Sequence, residues 1–233
     1  MKPMVIAAPN GARRGKADHP GLPVTVSEIA TEAGRCHENG AAVLHLHVRT
    51  DEGAHSLDPG RYREAISHIG DVAPDMIVQI TTEAAGSFGL EEQIACVKAV
   101  RPVSASVAWR EFSPETNPAA RHFYRWAADE NIHVQHILYS PADIERFATA
   151  QRMRELAMEP QTQSVLLVLG SYAGRAAAPG DLEPFLSVLP PVRDWCVCAF
   201  GAAEHEVVSA AIAAGGHARV GMENNFLRKD GSV

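Results

Sequence analysis

The chain has 233 residues, 46 % of them apolar and 21 % charged, which is ordinary globular composition with enough length to bury a large core. Its formal net charge of −7 makes the whole chain a poor match for nucleic acid or an anionic membrane surface. No apolar run approaches the roughly 20 residues of a membrane helix, and the apolar stretch in MKPMVIAAPNGARRG is too short for a secretory signal.

In chain order, residues 4–8 read as a first strand running into a loop, followed by a helix over 25–39. Thr25 and Ser27 sit just before its apolar-periodic run and Glu28 in its first turn, a helix N-terminus signature. A strand over 41–48 is followed by a helix over 59–69, a strand over 76–81 by a helix over 90–99, and a strand over 103–108 by a helix over 119–130. Then come a strand over 132–138 and a helix over 141–158, a strand over 165–169 and a helix over 181–189, and a strand over 195–200 with a helix over 204–214. A last strand covers 218–223. Gly40 and the Gly215-Gly216 pair release the chain from helix to strand. Cys196 and Cys198, with Cys36 and Cys96, form no CxxC pairs; they read as small core residues of a reducing, cytoplasmic protein.

Strict β-then-α alternation implies parallel strands joined by right-handed crossovers. Eight strands at this spacing predict a single-domain (β/α)8 TIM barrel over residues 1–233, with an open doubly wound sheet as the alternative. Only residues 224–233 follow the last strand, and they read as loop, so the closing helix is short or missing. A neighbouring subunit covering that gap predicts a homo-oligomer.

Strand alternation puts Val43, His45 and His47 of AAVLHLHVR on one face, near the strand's carboxyl end, where barrel sites form. The same alternation in HARVGMEN groups His217, Arg219, Gly221 and Glu223. Strands two and eight flank strand one in a closed barrel, and small Ala7 and Ala8 leave room between them. Two imidazoles and a carboxylate meeting there form a His2Glu set for a divalent metal, with one position open. Gly170 and Gly174 bracket Ser171 and Tyr172, a stretch read either as a ligand-approaching loop or as a plain turn. His136 is placed inward on strand five, as a base or as a buried hydrogen-bonded histidine. Trp109 either narrows the pocket or is a rim aromatic.

HLHVRT followed by DEG, PNGARR, LPVTVSEIA, VLGSYAG and GGHARVGMENN, in that order from residue 4 to about 225, resemble the β-keto acid cleavage enzymes. Their best-known members are the 3-keto-5-aminohexanoate cleavage enzymes. The resemblance implies an oligomeric (β/α)8 barrel with zinc, or another divalent metal, on His45, His47 and Glu223. It implies that a β-keto acid and acetyl-CoA give acetoacetate and a new acyl-CoA. The metal then polarises the keto oxygen, Arg219 assists the base and the developing anion, and Thr81 contacts substrate; Ser171 is a substrate contact on the ligand-approaching reading of its loop.

This sequence departs from the pattern at several places. Asn224 stands where the family carries the aspartate proposed as base for the acetyl-CoA enolate, and an amide cannot take a proton usefully near neutral pH. That leaves His136 as a candidate base. Arg13 and His136 stand where aminohexanoate-cleaving members hold the substrate ammonium with acids. The substrate is therefore expected to be neutral or anionic rather than 3-keto-5-aminohexanoate. Arg13, Arg14 and Lys16 are alternatively a loop for CoA phosphates. A metal-dependent C–C lyase or hydrolase without CoA is the competing function, and a non-enzymatic protein with structural metal is a third.

Overall fold

The computed structural model describes residues 2–228 and 230–233; Met1 and Lys229 lie outside the described residues. Eight parallel strands close into a barrel: β1 Val5–Ala7, β2 Val43–Leu46, β3 Ile77–Thr81, β4 Ser104–Ala108, β5 His133–Leu138, β6 Ser164–Leu169, β7 Asp194–Ala199 and β8 His217–Val220. Each strand neighbours the next in sequence, and β1 closes the ring by pairing with both β2 and β8. Ile6 lies opposite Val43 on one side and Arg219 on the other. The two strands that carry the predicted ligands are thereby held one strand apart, across β1.

The helices are α1 Val26–Glu38, α2 Pro59–Val72, α3 Leu90–Val100, α4 Trp109–Phe112, α5 Pro118–Asp129, α6 Pro141–Arg152, α7 Glu183–Leu186 and α8 Glu204–Ala213. The expected capping box opens α1: Thr25 Oγ1 accepts the Glu28 N–H, and Glu28 Oε2 accepts the Thr25 N–H at 3.0 Å. Three helix readings need correction. α6 stops at Arg152 rather than 158, because Arg154 and Ala157 take left-handed φ values of 55° and 54°. α7 is a single turn, stopped short of the prolines at 190 and 191. α4 falls in the stretch between strand and helix to which the sequence assigned no element, and lies in the same crossover as α5. No helix follows β8 among the described residues, as the sequence suggested.

Two apolar clusters form. The larger packs the outer faces of the strands against the helices, around Tyr62, Trp109, Phe112, Phe123, Tyr124 and Phe147. The smaller fills the barrel interior with Ile6, Val43, Ile137, Leu166, Val168, Cys196, Cys198 and Phe200. The interior is lopsided. Beside β2, one inward layer of β3 to β5 is polar, with Gln79 donating to both Ser104 and Gln135. This polar band sits directly beneath the site. No helix among the described residues is long and apolar enough to cross a membrane.

Candidate metal centre

His45 lies within β2, paired in register with Gln79 of β3. Its ring is 1 % exposed, and Nδ1–H donates to Gln79 Oε1 at 2.9 Å. The Gln79 amide is oriented by its own donation to Gln135 Oε1 at 3.3 Å and Ser104 Oγ at 3.4 Å. That bond fixes the tautomer and leaves His45 Nε2 as a bare lone pair. Burial pushes the His45 pKa down to about 3, against the pull of Glu223, so the ring is a neutral ligand near neutral pH.

His47 follows the end of β2 and is fully buried. Its Nε2 approaches His45 Nε2 to 3.2 Å. Two imidazole nitrogens facing one another in this way gain from a cation between them.

Glu223 arrives by a different local route from the one read in the sequence. β8 ends at Val220, so Glu223 is not in strand alternation with Arg219. Gly221 turns the chain at φ 146°, and a Cβ there would collide with the Ala8 carbonyl. The Glu223 N–H then donates to Ala8 O at 3.2 Å, which pins the carboxylate over β1. Its oxygens lie 3.5 Å from His45 Nε2 and 3.8 Å from His47 Nε2. Arg219 Nη2 donates to Oε1 at 3.2 Å. Burial alone would raise the Glu223 pKa, but Arg219, with His45 and His47, holds it well below the ordinary carboxylate range. Oε2 is buried without a hydrogen-bond partner.

The donor set fits a metal. A tetrahedral ion bonded at about 2.0–2.1 Å keeps its donors roughly 3.3–3.4 Å apart, and the observed separations bracket that spacing. One atom from each of the three residues falls within 4.8 Å of the others. Two facing imidazole nitrogens, an ionised carboxylate and an orphaned carboxylate oxygen are what a divalent cation would satisfy.

A pocket opens above the trio. His45, Thr81, Glu83, Ser106, Tyr139, Ser171, Tyr172, Arg219, Glu223 and Asn224 contribute polar lining, while Ala108, Ile137, Val168 and Phe200 form an apolar wall. Arg219 is 3 % exposed and also reaches Cys198 Sγ at 3.6 Å; its Nε and Nη1 have no partner. Asn224 is buried with Oδ1 unpartnered. Burial pushes the phenols of Tyr139 and Tyr172 well above their usual pKa, so both stay protonated donors.

The structure places Thr81, Ser171, Arg219 and Asn224 in the pocket lining, and Arg13 beside the lining residues Glu83 and Tyr172. Two expectations are overturned. His136 faces outward: it is buried between Trp109, Tyr124 and Phe147, with ring centroids 6.2, 5.3 and 4.9 Å away. The inward positions of β5 are Gln135 and Ile137. Burial drives His136 down to about 3, and its Nδ1 lies 3.4 Å from Ser164 O. It is a core histidine with no path to substrate. Trp109 is fully buried in the same outer layer, edge-on to Phe147, and does not reach the pocket. Arg13, Arg14 and Lys16 are engaged locally: Arg13 with Glu83, Arg14 with Met222 O and the Phe226 ring, and Lys16 with Glu28.

Three contributors were missed. Gln79 orients a ligand. Arg49 clamps the loop after β1 by donating to Arg14 O at 2.8 Å and to Gly11 O, which sets the Gly11 backbone so close to Glu223 that a Cβ there would lie 2.7 Å from its Cγ. Glu83 brings a second carboxylate into the lining.

A closed parallel barrel with two imidazoles, a carboxylate and a buried guanidinium at the carboxyl ends of its strands defines a (β/α)8 enzyme with three residues that could hold a metal ion. The chain belongs to the beta-keto acid cleavage enzyme family, whose profile matches residues 2–233. It is 28 % identical to a 3-keto-5-aminohexanoate cleavage enzyme of Acetoanaerobium sticklandii, over 99 % of this chain and 85 % of that protein. It is also 28 % identical to a 3-oxoadipate:acetyl-CoA acetyltransferase of Cupriavidus necator, over 96 % of this chain and 81 % of that protein. Among solved structures, apo ObcA superposes with a TM-score of 0.67 at 16 % identity, over 88 % of this chain and 56 % of ObcA, a likeness of fold.

Proposed function

We propose that this chain is a zinc-dependent acyltransferase that converts a β-keto acid and acetyl-CoA into acetoacetate and a new acyl-CoA. The observation that carries this reading is the buried His45–His47–Glu223 trio with Arg219 against it, opening on a mixed polar and apolar pocket.

Atom balance defines the chemistry. In acetoacetate the acetyl group sits on the CH2–COO− fragment of the β-keto acid, while CoA ends on the remaining acyl group. The carbon that loses its proton is therefore C2 of the keto acid, not the acetyl methyl expected from the sequence. C2 attacks the thioester carbonyl and expels CoA thiolate. The thiolate then adds to the original keto carbon, and cleavage of that carbon's bond to C2 releases acyl-CoA and the acetoacetate enolate. Every stage places negative charge on oxygen.

A divalent cation on the trio supplies a Lewis acid for such oxygens. The chain's own groups do the rest. Arg219 is itself buried and presents two unpartnered guanidinium nitrogens, Nε and Nη1, which suits an oxyanion. Its bond to Glu223 holds both in place. Thr81, Tyr172 and Asn224 offer further hydrogen bonds at the lining.

The lining supports a neutral or anionic acyl tail. Each of its two carboxylates already faces a guanidinium, Glu223 that of Arg219 and Glu83 that of Arg13, so a substrate ammonium would bring a second cation against each pair. The apolar wall of Ala108, Ile137, Val168 and Phe200 accepts uncharged chain. The four free cysteines suit a reducing cytoplasm, and we read the assembly as a homo-oligomer.

The test is incubation of zinc-loaded protein with acetyl-CoA and 3-oxohexanoate, 3-oxoadipate or 3-keto-5-aminohexanoate. Acetoacetate forming only when acetyl-CoA is present, and from the first two in preference to the third, is the expected result. Cleavage without acetyl-CoA would favour the lyase or hydrolase reading, and silence across the panel would overturn the proposal.

A further inference from the structure

We infer that Glu83 is the general base, taking the proton from C2 of the β-keto acid and returning it to C2 of the departing acetoacetate. This deepens the reading above and rests on it. The first step requires a proton acceptor beside the cation site, and the lining offers few. Its carboxylates are Glu83 and Glu223. Glu223 is spent on Arg219 and the two imidazoles. The Nε2 lone pair of His45 points at the same cation position. Tyr139 and Tyr172 hold their protons. Thr81, Ser106, Ser171 and Asn224 are hydroxyls and an amide, without useful basicity near neutral pH.

Glu83 is also held as a base should be. It follows β3 by two residues, and its backbone is fixed on both sides: N–H to Thr81 Oγ1 at 3.1 Å, and C=O from His55 Nε2 at 2.8 Å. His55 in turn lies against His47, ring centroids 5.4 Å apart. The Glu83 carboxylate meets Arg13 Nε at 3.4 Å and keeps 23 % side-chain exposure, so it is held by a guanidinium yet reachable from the pocket. Arg13, at the rim, acts as a positioning residue for it.

The proton balance closes on one group. Glu83 accepts the C2 proton as the electron pair moves onto the keto oxygen. After acetyl transfer, CoA addition and carbon–carbon cleavage, the acetoacetate enolate recovers a proton at C2 from the Glu83 carboxylic acid. Microscopic reversibility follows: with acetoacetate alone, the enzyme exchanges the C2 hydrogens with solvent, whatever the acyl tail of the true substrate.

The experiment follows loss of the C2 proton signal of acetoacetate by NMR in D2O, with zinc-loaded protein and no acetyl-CoA. Wild type is expected to exchange well above the enzyme-free rate. Glu83→Gln is expected to lose that acceleration by about 10²–10⁴-fold, the range for a positioned base, while keeping one zinc per chain and wild-type thermal stability. Glu83→Asp, which keeps a carboxylate one methylene shorter, is expected to fall between them and covers the case of a poorly folded Gln variant. Exchange within about threefold of wild type in Glu83→Gln would overturn the inference, as would absence of exchange in wild type. Robust Glu83-dependent exchange without acetoacetate formation from the keto-acid panel would sink the acyltransferase reading and leave the base standing.

Discussion

Replacing Gln79 tests whether the centre is built from its second layer outward. Gln79 Oε1 accepts the Nδ1–H of His45 at 2.9 Å, with both residues at most 2 % exposed. In Gln79→Leu that N–H has no acceptor, and an unpaired buried donor costs about 1–3 kcal/mol. The ring escapes the cost by moving its proton to Nε2, which is the ligating atom, so relief comes at the expense of metal binding. Either outcome lowers zinc affinity by about 10–100-fold, roughly 1.4–2.7 kcal/mol. Gln79→Glu keeps an acceptor at the same place and should retain affinity. Zinc dissociation constants are read by chelator competition at pH 7.5, with urea denaturation of the apo forms run alongside, because Gln79 also bonds Ser104 and Gln135. A folded Gln79→Leu protein that binds zinc within twofold of wild type would refute the assignment of tautomer and ligand atom.

Other consequences are equally concrete. Arg219→Met should lower kcat for acetoacetate formation by on the order of 10²-fold through loss of oxyanion stabilisation, measured with zinc content matched to wild type; an unchanged kcat would remove Arg219 from catalysis. Gly221→Ala places a side chain on the Ala8 carbonyl at a φ of 146°, and should destabilise the fold by about 3 kcal/mol or more and weaken zinc binding, since Glu223 hangs from that turn; equal urea midpoints for variant and wild type would contradict this. Burial raises Glu204 to about 7, against one hydrogen bond from Asn225. A carboxyl raised above its unfolded value near 4.5 contributes stability that is complete below pH 4.5 and lost as pH climbs through 7. The Tm of wild type should therefore fall relative to that of Glu204→Gln between pH 5 and 8, and parallel Tm profiles would contradict the shift.

The barrel was legible because its signals are local: β-branched and apolar runs of strand length alternate with capped amphipathic stretches. His45 was legible for the same reason, since it sits in a period-two pattern with Val43. Glu223 was reached by address rather than by mechanism, because alternation fails at Gly221 and a glycine turn does the placing. His136 shows where alternation runs out. In HVQHIL both phases of β5 carry a histidine and an aliphatic residue, so the inward face is settled only by pairing of Gln135 with its neighbours and by the aromatic cluster of α4, α5 and α6 waiting outside. Trp109 was misplaced with the missing α4. Gln79, Arg49 and Glu83 act across register or through long side-chain reach, and no spacing within one segment announces them.

The central claim is that His45 Nε2, His47 Nε2 and the Glu223 carboxylate bind one cation. Anomalous diffraction from crystals of the zinc-loaded protein addresses it directly. A single strong peak about 2.0–2.2 Å from all three groups, with the remaining coordination directed toward Arg219 and Thr81, is the predicted result. A peak elsewhere, or none at full zinc occupancy in solution, would contradict the account.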